Sequence, residues 1–407
     1  MTISGGRRSE FDWLRVSAIG LMMIFHSAIG FSSWPWHVTD LHHSFALNFF
    51  LSFLWPWRVA LVFIVAGAAL MLALVHRKPF AILRERVRRL LFPLVFAIIV
   101  IVPPQVYFER IQSGQFKGSY LDFLPHIADG IYPSGNLSWH QMWFIPYVLV
   151  LTVVMLPLLM WVRSRAGHST LDHAVFAVAN KHLYWLLVLP LASAQILLRG
   201  QVNDNHSLWG DPHGWLEFGT LFLFGAVLAE WREILLAVQR GRHVALIIGI
   251  AAFFTLQVKW PSIGNDPKFL TIGGAVGWSV LAALNVVAWL VAAVGFLTRW
   301  LNRSSPILTY ANDATLPIYL MHQTFIVMAV FYLHKMNWLL SEKIILTFAF
   351  AFLGSLLIYE CVVRRSRWIG LIFGARPEAR RISLVEAISS TYVLLKDGTD
   401  RRPRPAV

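Results

Sequence analysis

Residues 12–27 read DWLRVSAIGLMMIFHS, an apolar run with an arginine near its start and an imidazole within it. Neither group belongs in lipid, and ionisable side chains inside membrane helices are functional candidates by default. Eleven residues separate Arg15 from His26. At 100° per residue they fall within about 20° of one helix face, and about 16 Å apart along its axis. Two further ionisable residues reach a similar depth in other apolar runs: Arg58 in FFLSFLWPWRVALVFIVAGAAL and His322 in ANDATLPIYLMHQ. Taken singly, each has a bland reading as a snorkelling or internally bonded side chain. Three helices presenting Arg or His at one level favour a shared polar site. A neutral imidazole can take a proton from a hydroxyl as general base. Arg58 can stabilise an oxyanion or hold a carboxylate. Arg15, with the arginines of 84–89 (Arg86 and Arg89 among them), suits phosphate. Such a set fits acyl transfer from a phosphate-bearing donor to an acceptor hydroxyl by direct attack. No nucleophile motif surrounds Ser27 or Cys361.

The elements that position these residues are transmembrane helices. Of 407 residues, 57% are hydrophobic and 14% charged, against about 25% charged in a soluble protein. The single cysteine excludes an intrachain disulfide framework and a multi-cysteine metal centre. The expected fold is all-α, a polytopic membrane protein of about ten helices. The runs lie near 13–33, 48–75, 90–108, 142–162, 182–198, 215–231, 244–258, 273–298, 308–334 and 344–363. A leader (1–12) and a basic tail (364–407) flank this membrane domain (13–363). With ten crossings, the leader, the tail and the even-numbered connections hold 26 of the 35 Lys and Arg, and the opposite connections hold seven. The positive-inside rule then places both termini in the cytoplasm. The net charge of +14 is topology, and nucleic acid is not an expected partner. Segment 76–89 (HRKPFAILRERVRR) reads as a basic cytoplasmic loop, and 378–396 as an amphipathic helix against the inner leaflet. Pro317 is expected to kink or interrupt its helix.

The order of these phrases resembles membrane acyltransferases of family 3. Arg15, ten residues and His26 match that family's first-helix pattern. Arg86-Val-Arg-Arg89 matches its Arg-x-x-Arg element. Ala66-Gly67 stands where a Ser-Gly is common in the second helix. Trp143-Phe144-Ile145 is similar to its fourth-helix opening. Leu316-Pro317-Ile318-Tyr319-Leu320-Met321-His322 is similar to its late Pro-Leu-Tyr-Leu-x-His phrase. The branch it looks most like is associated with succinylation of periplasmic glucans. The resemblance implies ten helices, His26 as the essential base and acyl-CoA as co-substrate, with no tightly bound cofactor. It also implies an acceptor hydroxyl on a periplasmic or surface glycan, an acetyl- or succinyl-class acyl group, and a bacterial inner membrane. Arg15, Arg86 and Arg89 are then candidate donor contacts. His26, Arg58 and His322 are candidate catalytic groups.

Weaker signals lie at the outer side. The loop SSWPWHVTDLHHS holds His37, Asp40, His42 and His43, a set that can bind zinc but at a spacing that forms no motif. No metal is therefore expected. Trp34 and Trp36, or His140 and Trp143, could stack on a sugar. Trp143, Tyr319 and Glu217 are candidate acceptor contacts, with helix capping the plain alternative for Glu217. The competing function is a transporter that uses the buried His and Arg as a relay. The lack of internal repeats and the scarcity of mid-membrane carboxylates weigh against it.

Overall fold

The computed structural model describes residues 8–198, 208–263, 272–375 and 382–396. Their elements are helical, and no strand occurs among them. The principal helices are α1 (Ser9–Ile29), α2 (Phe45–His76), α3 (Pro79–Gln112), α4 (His140–Val162), α5 (Arg165–Asn180) and α6 (Leu183–Leu197). They continue as α7 (Pro212–Glu230), α8 (Arg232–Ile263), α9 (Ile272–Trp300), α10 (Pro306–Leu333), α11 (Leu340–Val363) and α12 (Leu384–Lys396).

Seven of these helices are long and apolar enough to cross a membrane: α2, α3, α4, α8, α9, α10 and α11. The pair α5–α6, bent by 102°, makes an eighth if it forms one span. Helices occupy all ten expected stretches. However, α1 and α7 fall short of that standard, and both carry ionisable groups: Asp12, Arg15 and His26 in α1, Glu217 and Glu230 in α7.

Three expected cytoplasmic loops are instead helical. The basic segment 76–89 is largely the first turns of α3, which starts at Pro79. Residues 163–181 form α5, and 232–242 open α8. Arg, Leu, Glu and Ala are good helix formers, so a run of charge does not end a helix. Within α3 the coil widens into π-type turns at Val87–Leu91 and Ala97–Ile101. The first lies just ahead of Pro93 and the second just ahead of Pro103. Proline has no N–H for the carbonyl four residues back and its ring crowds that carbonyl, which the wider turn relieves. Pro317, by contrast, sits inside a helix that runs unbroken from Pro306 to Leu333.

The chain divides into two compact units. The first comprises residues up to Leu14, Trp55–Arg84 and Pro146–Asn302. Its α8 and α9 pack along their length, and α6 lies against both α9 and α7. Gly67 of α2 and Gly225 of α7 form a reciprocal crossing. A Cβ on Gly67 would run into the Phe222 carbonyl, and one on Gly225 into the Ile64 carbonyl. Small residues of this kind let membrane helices meet backbone to backbone. The Ala66-Gly67 phrase therefore has a packing role in this chain.

The second unit comprises Arg15–Leu54, Glu85–Ile145 and the chain from Arg303 on. Helix α10 is its hub, packed against α11, α3 and α12. The tail helix α12 begins later than expected; residues 378–381 lie outside those described. Thr391 Oγ1 accepts from Ile307 N (3.2 Å) and Glu360 Oε1 accepts from Leu384 N (3.0 Å), which fastens α12 to this unit. Val385, Ile388 and Tyr392 of α12 remain exposed.

Gly67→Val and Gly225→Val should each destabilise the protein by about 1–3 kcal/mol through overpacking. The thermal midpoint in detergent reads this. Gly20→Ala, where a Cβ meets nothing within 4 Å, is the neutral control. Equal midpoints for all three variants would refute the crossing.

Candidate active site

His26 and His322 meet in the interior of the second unit. His26 Nδ1 lies 2.9 Å from His322 Nε2, and the two rings meet edge to edge and nearly coplanar, with centres 5.2 Å apart and an interplanar angle of 13°. His26 is 8% exposed and His322 is fully buried. The chain itself fixes the protons. His322 Nδ1 is 2.6 Å from the Tyr319 carbonyl, which can only accept, so Nδ1 carries the hydrogen and Nε2 carries a lone pair. His26 Nδ1 then donates to that lone pair, and the basic nitrogen of His26 is Nε2. A single backbone carbonyl thus sets the tautomer of both rings.

The same two helices meet again nearer their N-terminal ends. Arg15 Nη1 donates to Asn312 Oδ1 at 2.6 Å. Arg15 precedes His26 on α1 as Asn312 precedes His322 on α10, so the two helices run parallel. Arg86 of α3 lies within the electrostatic reach of both Arg15 and Arg89, so the three arginines expected to bind phosphate are gathered at one end. Arg89 has structural duties there. Its Nε donates to the Gly374 carbonyl (2.9 Å), and its Nη1 lies 3.4 Å from Glu85 Oε1. Gly374 has φ +72°, and a Cβ on it would press on the Arg89 carbonyl and Leu316.

Other candidates are placed as follows. Tyr319 is 1% exposed, and its hydroxyl donates to the Gln141 carbonyl. Gln141 Nε2 in turn donates to the Leu320 carbonyl (3.2 Å). Tyr319 therefore positions the start of α4 on α10, and its hydroxyl is not offered to an acceptor. Trp143 ends the same turn and is half-buried. Arg58 and Glu217 belong to the first unit. Arg58 Nη1 donates to the Trp55 carbonyl (2.8 Å), and its guanidinium lies 4.6 Å from the centre of the Trp55 ring. Glu217 Oε2 lies 3.7 Å from His213 Nδ1, one turn before it on α7.

The loop after α1 is drawn onto the rest of the second unit by a buried ion pair. Lys343 Nζ lies 2.6 Å from Asp40 Oδ2, with both side chains almost wholly enclosed. Asp40 N donates to the Gly30 carbonyl (2.8 Å) and Asp40 Oδ1 accepts from His42 N (2.8 Å). His42 and His43 are exposed, so the four-residue set of the loop does not assemble. His37 instead joins two residues from elsewhere, Glu109 at the end of α3 and His140 at the start of α4. Glu109 Oε2 lies 2.8 Å from His37 Nδ1, and the rings of His37 and His140 stack at 4.1 Å. The Tyr132 hydroxyl reaches the same Glu109 oxygen at 3.5 Å. Burial and the Glu109 carboxylate push the Tyr132 phenol up to about 12, so it is a donor at neutral pH. Trp36 links the two histidine groups. Its ring stacks with His26 at 6.5 Å and lies 5.3 Å from His37. Sequence reasoning did not find Glu109 as a partner of His37; its only signal was a carboxylate at the outer end of an apolar run.

Lys343→Met should cost about 3–5 kcal/mol, because it leaves Asp40 buried without its counter-charge. The reading is the thermal midpoint, together with faster proteolysis within residues 31–44. A midpoint unchanged from the parent would show that the loop is held by other means.

A family model for the acyltransferase domain matches residues 8–360. The glucans biosynthesis protein C of Shigella dysenteriae serotype 1 (strain Sd197) is 22% identical over 331 residues, covering 78% of this chain and 81% of that protein. The protein of the same name from Salmonella schwarzengrund (strain CVM19633) is 21% identical over 350 residues, covering 79% and 83%. That of Escherichia coli (strain SMS-3-5 / SECEC) is 22% identical over 331 residues, covering 78% and 81%. No solved structure matches this chain. The family match runs from the first turn of α1 to the end of α11 and takes in every histidine described above. This multi-pass membrane protein belongs to the acyltransferase 3 family and is an enzyme that transfers acyl groups other than aminoacyl groups.

Proposed function

We propose that the protein moves an acetyl- or succinyl-class acyl group from cytoplasmic acyl-CoA to a hydroxyl of a periplasmic or surface glycan. The observation that carries this reading is the His26–His322 pair, with its proton direction fixed by the Tyr319 carbonyl. His26 Nε2 takes the proton of the acceptor hydroxyl as the oxygen attacks the thioester carbonyl. The C–O bond forms, the carbonyl π electrons move onto oxygen, and an oxyanion develops. The oxyanion collapses, the C–S bond breaks, and CoA leaves as a thiolate that receives the proton from the His26 imidazolium. Throughout, His26 Nδ1–H stays bonded to His322 Nε2, which steadies the imidazolium and keeps the ring aimed.

Arg15 and Arg86 hold the CoA phosphates at the cytoplasmic end, with Arg89 contributing what its own bonds leave. The pantetheine arm then covers the distance from those phosphates to the thioester, along the face that Arg15 and His26 share. Arg58 is assigned the developing oxyanion or the carboxylate of a succinyl donor. Trp143 and Glu217 are assigned to the acceptor. A glucan, after the names of the relatives, is the first acceptor to test. Both termini in the cytoplasm complete the reading, since ten crossings would put 26 of the 35 Lys and Arg on one side; a bacterial inner membrane is taken from the likeness to the relatives.

Purified protein in detergent or liposomes should move labelled acyl from acyl-CoA to a glucan. His26→Ala should lower kcat by about 10²–10⁴-fold. His322→Gln, whose amide oxygen can accept the His26 Nδ1 hydrogen, should keep more activity than His322→Ala. Arg15→Ala should raise the KM for acyl-CoA more than it lowers kcat. Undiminished transfer by a folded His26→Ala protein would overturn the assignment.

A further inference from the structure

We propose that His37, Glu109 and His140 form a binding site for a first-row divalent metal ion of the Zn²⁺ class. Each of the three can offer one ligand atom, and those atoms lie within 4.8 Å of one another. Two imidazole nitrogens and one carboxylate oxygen are a donor set that Zn²⁺ takes in catalytic-type sites, where a fourth position is left open.

Proximity alone would not separate this from an ordinary His–Glu pair. The second observation is His140. It is 8% exposed, and its Nε2 is buried with no hydrogen-bond partner among the described residues. A buried polar atom without a partner is rare and costly. The lone pair on that atom follows from a chain of bonds that begins at a carbonyl. Thr324 Oγ1 donates to the Ile101 carbonyl at 2.7 Å, so it must accept from Gln105 Nε2 at 2.8 Å. That orients the Gln105 amide, and its Oε1 accepts from Gln323 Nε2 at 3.1 Å. His140 Nδ1, 3.1 Å from the same oxygen, is therefore the N–H of the ring. Nε2 keeps its lone pair and presents a neutral imidazole ready to ligate. A metal-bound histidine typically donates its other N–H to a carbonyl or carboxylate in this way.

The His140 end of the set is held in place, and His37, whose ring stacks on His140 at 4.1 Å, turns out of that stack to bring its in-plane lone pair to the ion. His140 has φ +37°, an unusual value for a side chain of this size, and its N–H is taken by Ser138 Oγ at 3.0 Å. Arg110, 3.8 Å from Glu109 Oε1, is bound by the Pro133 and Gly135 carbonyls at 2.7 Å each. It steadies Glu109 as a ligand without replacing the ion. His37 and Glu109 both line an open cleft of about 570 Å³ whose wall includes Trp36, Thr39 and Lys335. Water or a hydroxyl-bearing ligand would reach the ion from that cleft.

The test does not depend on acyl transfer, so it stands apart from the reading above. Purified protein is stripped with a chelator and titrated with Co²⁺, followed by competition with Zn²⁺. The expected result is one Co²⁺ per chain, with visible d–d absorption that Zn²⁺ removes. Glu109→Gln and His140→Ala should weaken binding by at least about tenfold, and Gln105→Ala by about tenfold through the outer shell. His42→Ala, an exposed histidine of the same loop, should leave binding unchanged. If His140→Ala does not fold, Glu109→Gln and His37→Ala carry the comparison. No saturable Co²⁺ binding, or binding unaffected by the ligand variants, overturns the site.

Discussion

Two backbone carbonyls set the direction of the protons in the interior of the second unit. A carbonyl can only accept, so a polar side chain bonded to one has its hydrogen assigned. The next group along the chain of bonds is then assigned in turn. From Tyr319 the assignment passes through His322 to His26. From Ile101 it passes through Thr324 and Gln105 to His140. Among apolar helices there is little water to randomise such networks, and each group must find its partner inside the chain. The result is two neutral imidazoles whose Nε2 atoms hold lone pairs. The same geometric rule thus produces a base in one place and a candidate ligand in the other.

Helix α10 supplies much of this order. It carries His322, Tyr319, Gln323, Thr324 and Asn312, and so contributes to both assignments and to the Arg15 contact. Asn312, Tyr319, His322, Gln323 and Thr324 reach α1, α3 and the start of α4, while Phe325 packs on Phe350 of α11. Tyr319 shows how this arrangement redistributes roles. A tyrosine beside a candidate base suggests substrate binding, but here its hydroxyl is consumed in holding the turn that bears His140 and Trp143. Likewise Gly67 acts through its missing side chain, by letting two helix backbones touch.

What could be read from the sequence was what helical periodicity encodes. Arg15 and His26 share a face because eleven residues make about three turns, and the structure shows α1 using that face against α10. His322 stood out as an ionisable residue within an apolar run, and it meets His26 in the interior. Charge counting was less informative about structure. Arg84, Arg86, Arg88 and Arg89, expected in a loop, sit on helical or π-type turns of α3. The cluster of His37, Glu109 and His140 could be read only in part: both histidines stood out, but Glu109 did not, because the three come from separate segments. No local spacing encodes a site that exists only when those segments meet. The loop histidines that were adjacent in sequence, His42 and His43, turned outward instead.

Arg15 with Asn312 and His26 with His322 tie α1 to α10 like two rungs between parallel rails. Eleven residues separate the rungs on one rail and ten on the other. Substitutions between the rungs change packing, but an insertion or deletion of one residue turns everything beyond it by 100°. One rung would then point away from its partner while the other stayed in place. The stretch between Arg15 and His26 is therefore fixed in length by its two contacts, as well as in composition where Ala18, Met22, Met23 and Phe25 are buried. It works as a gauge between the two rungs.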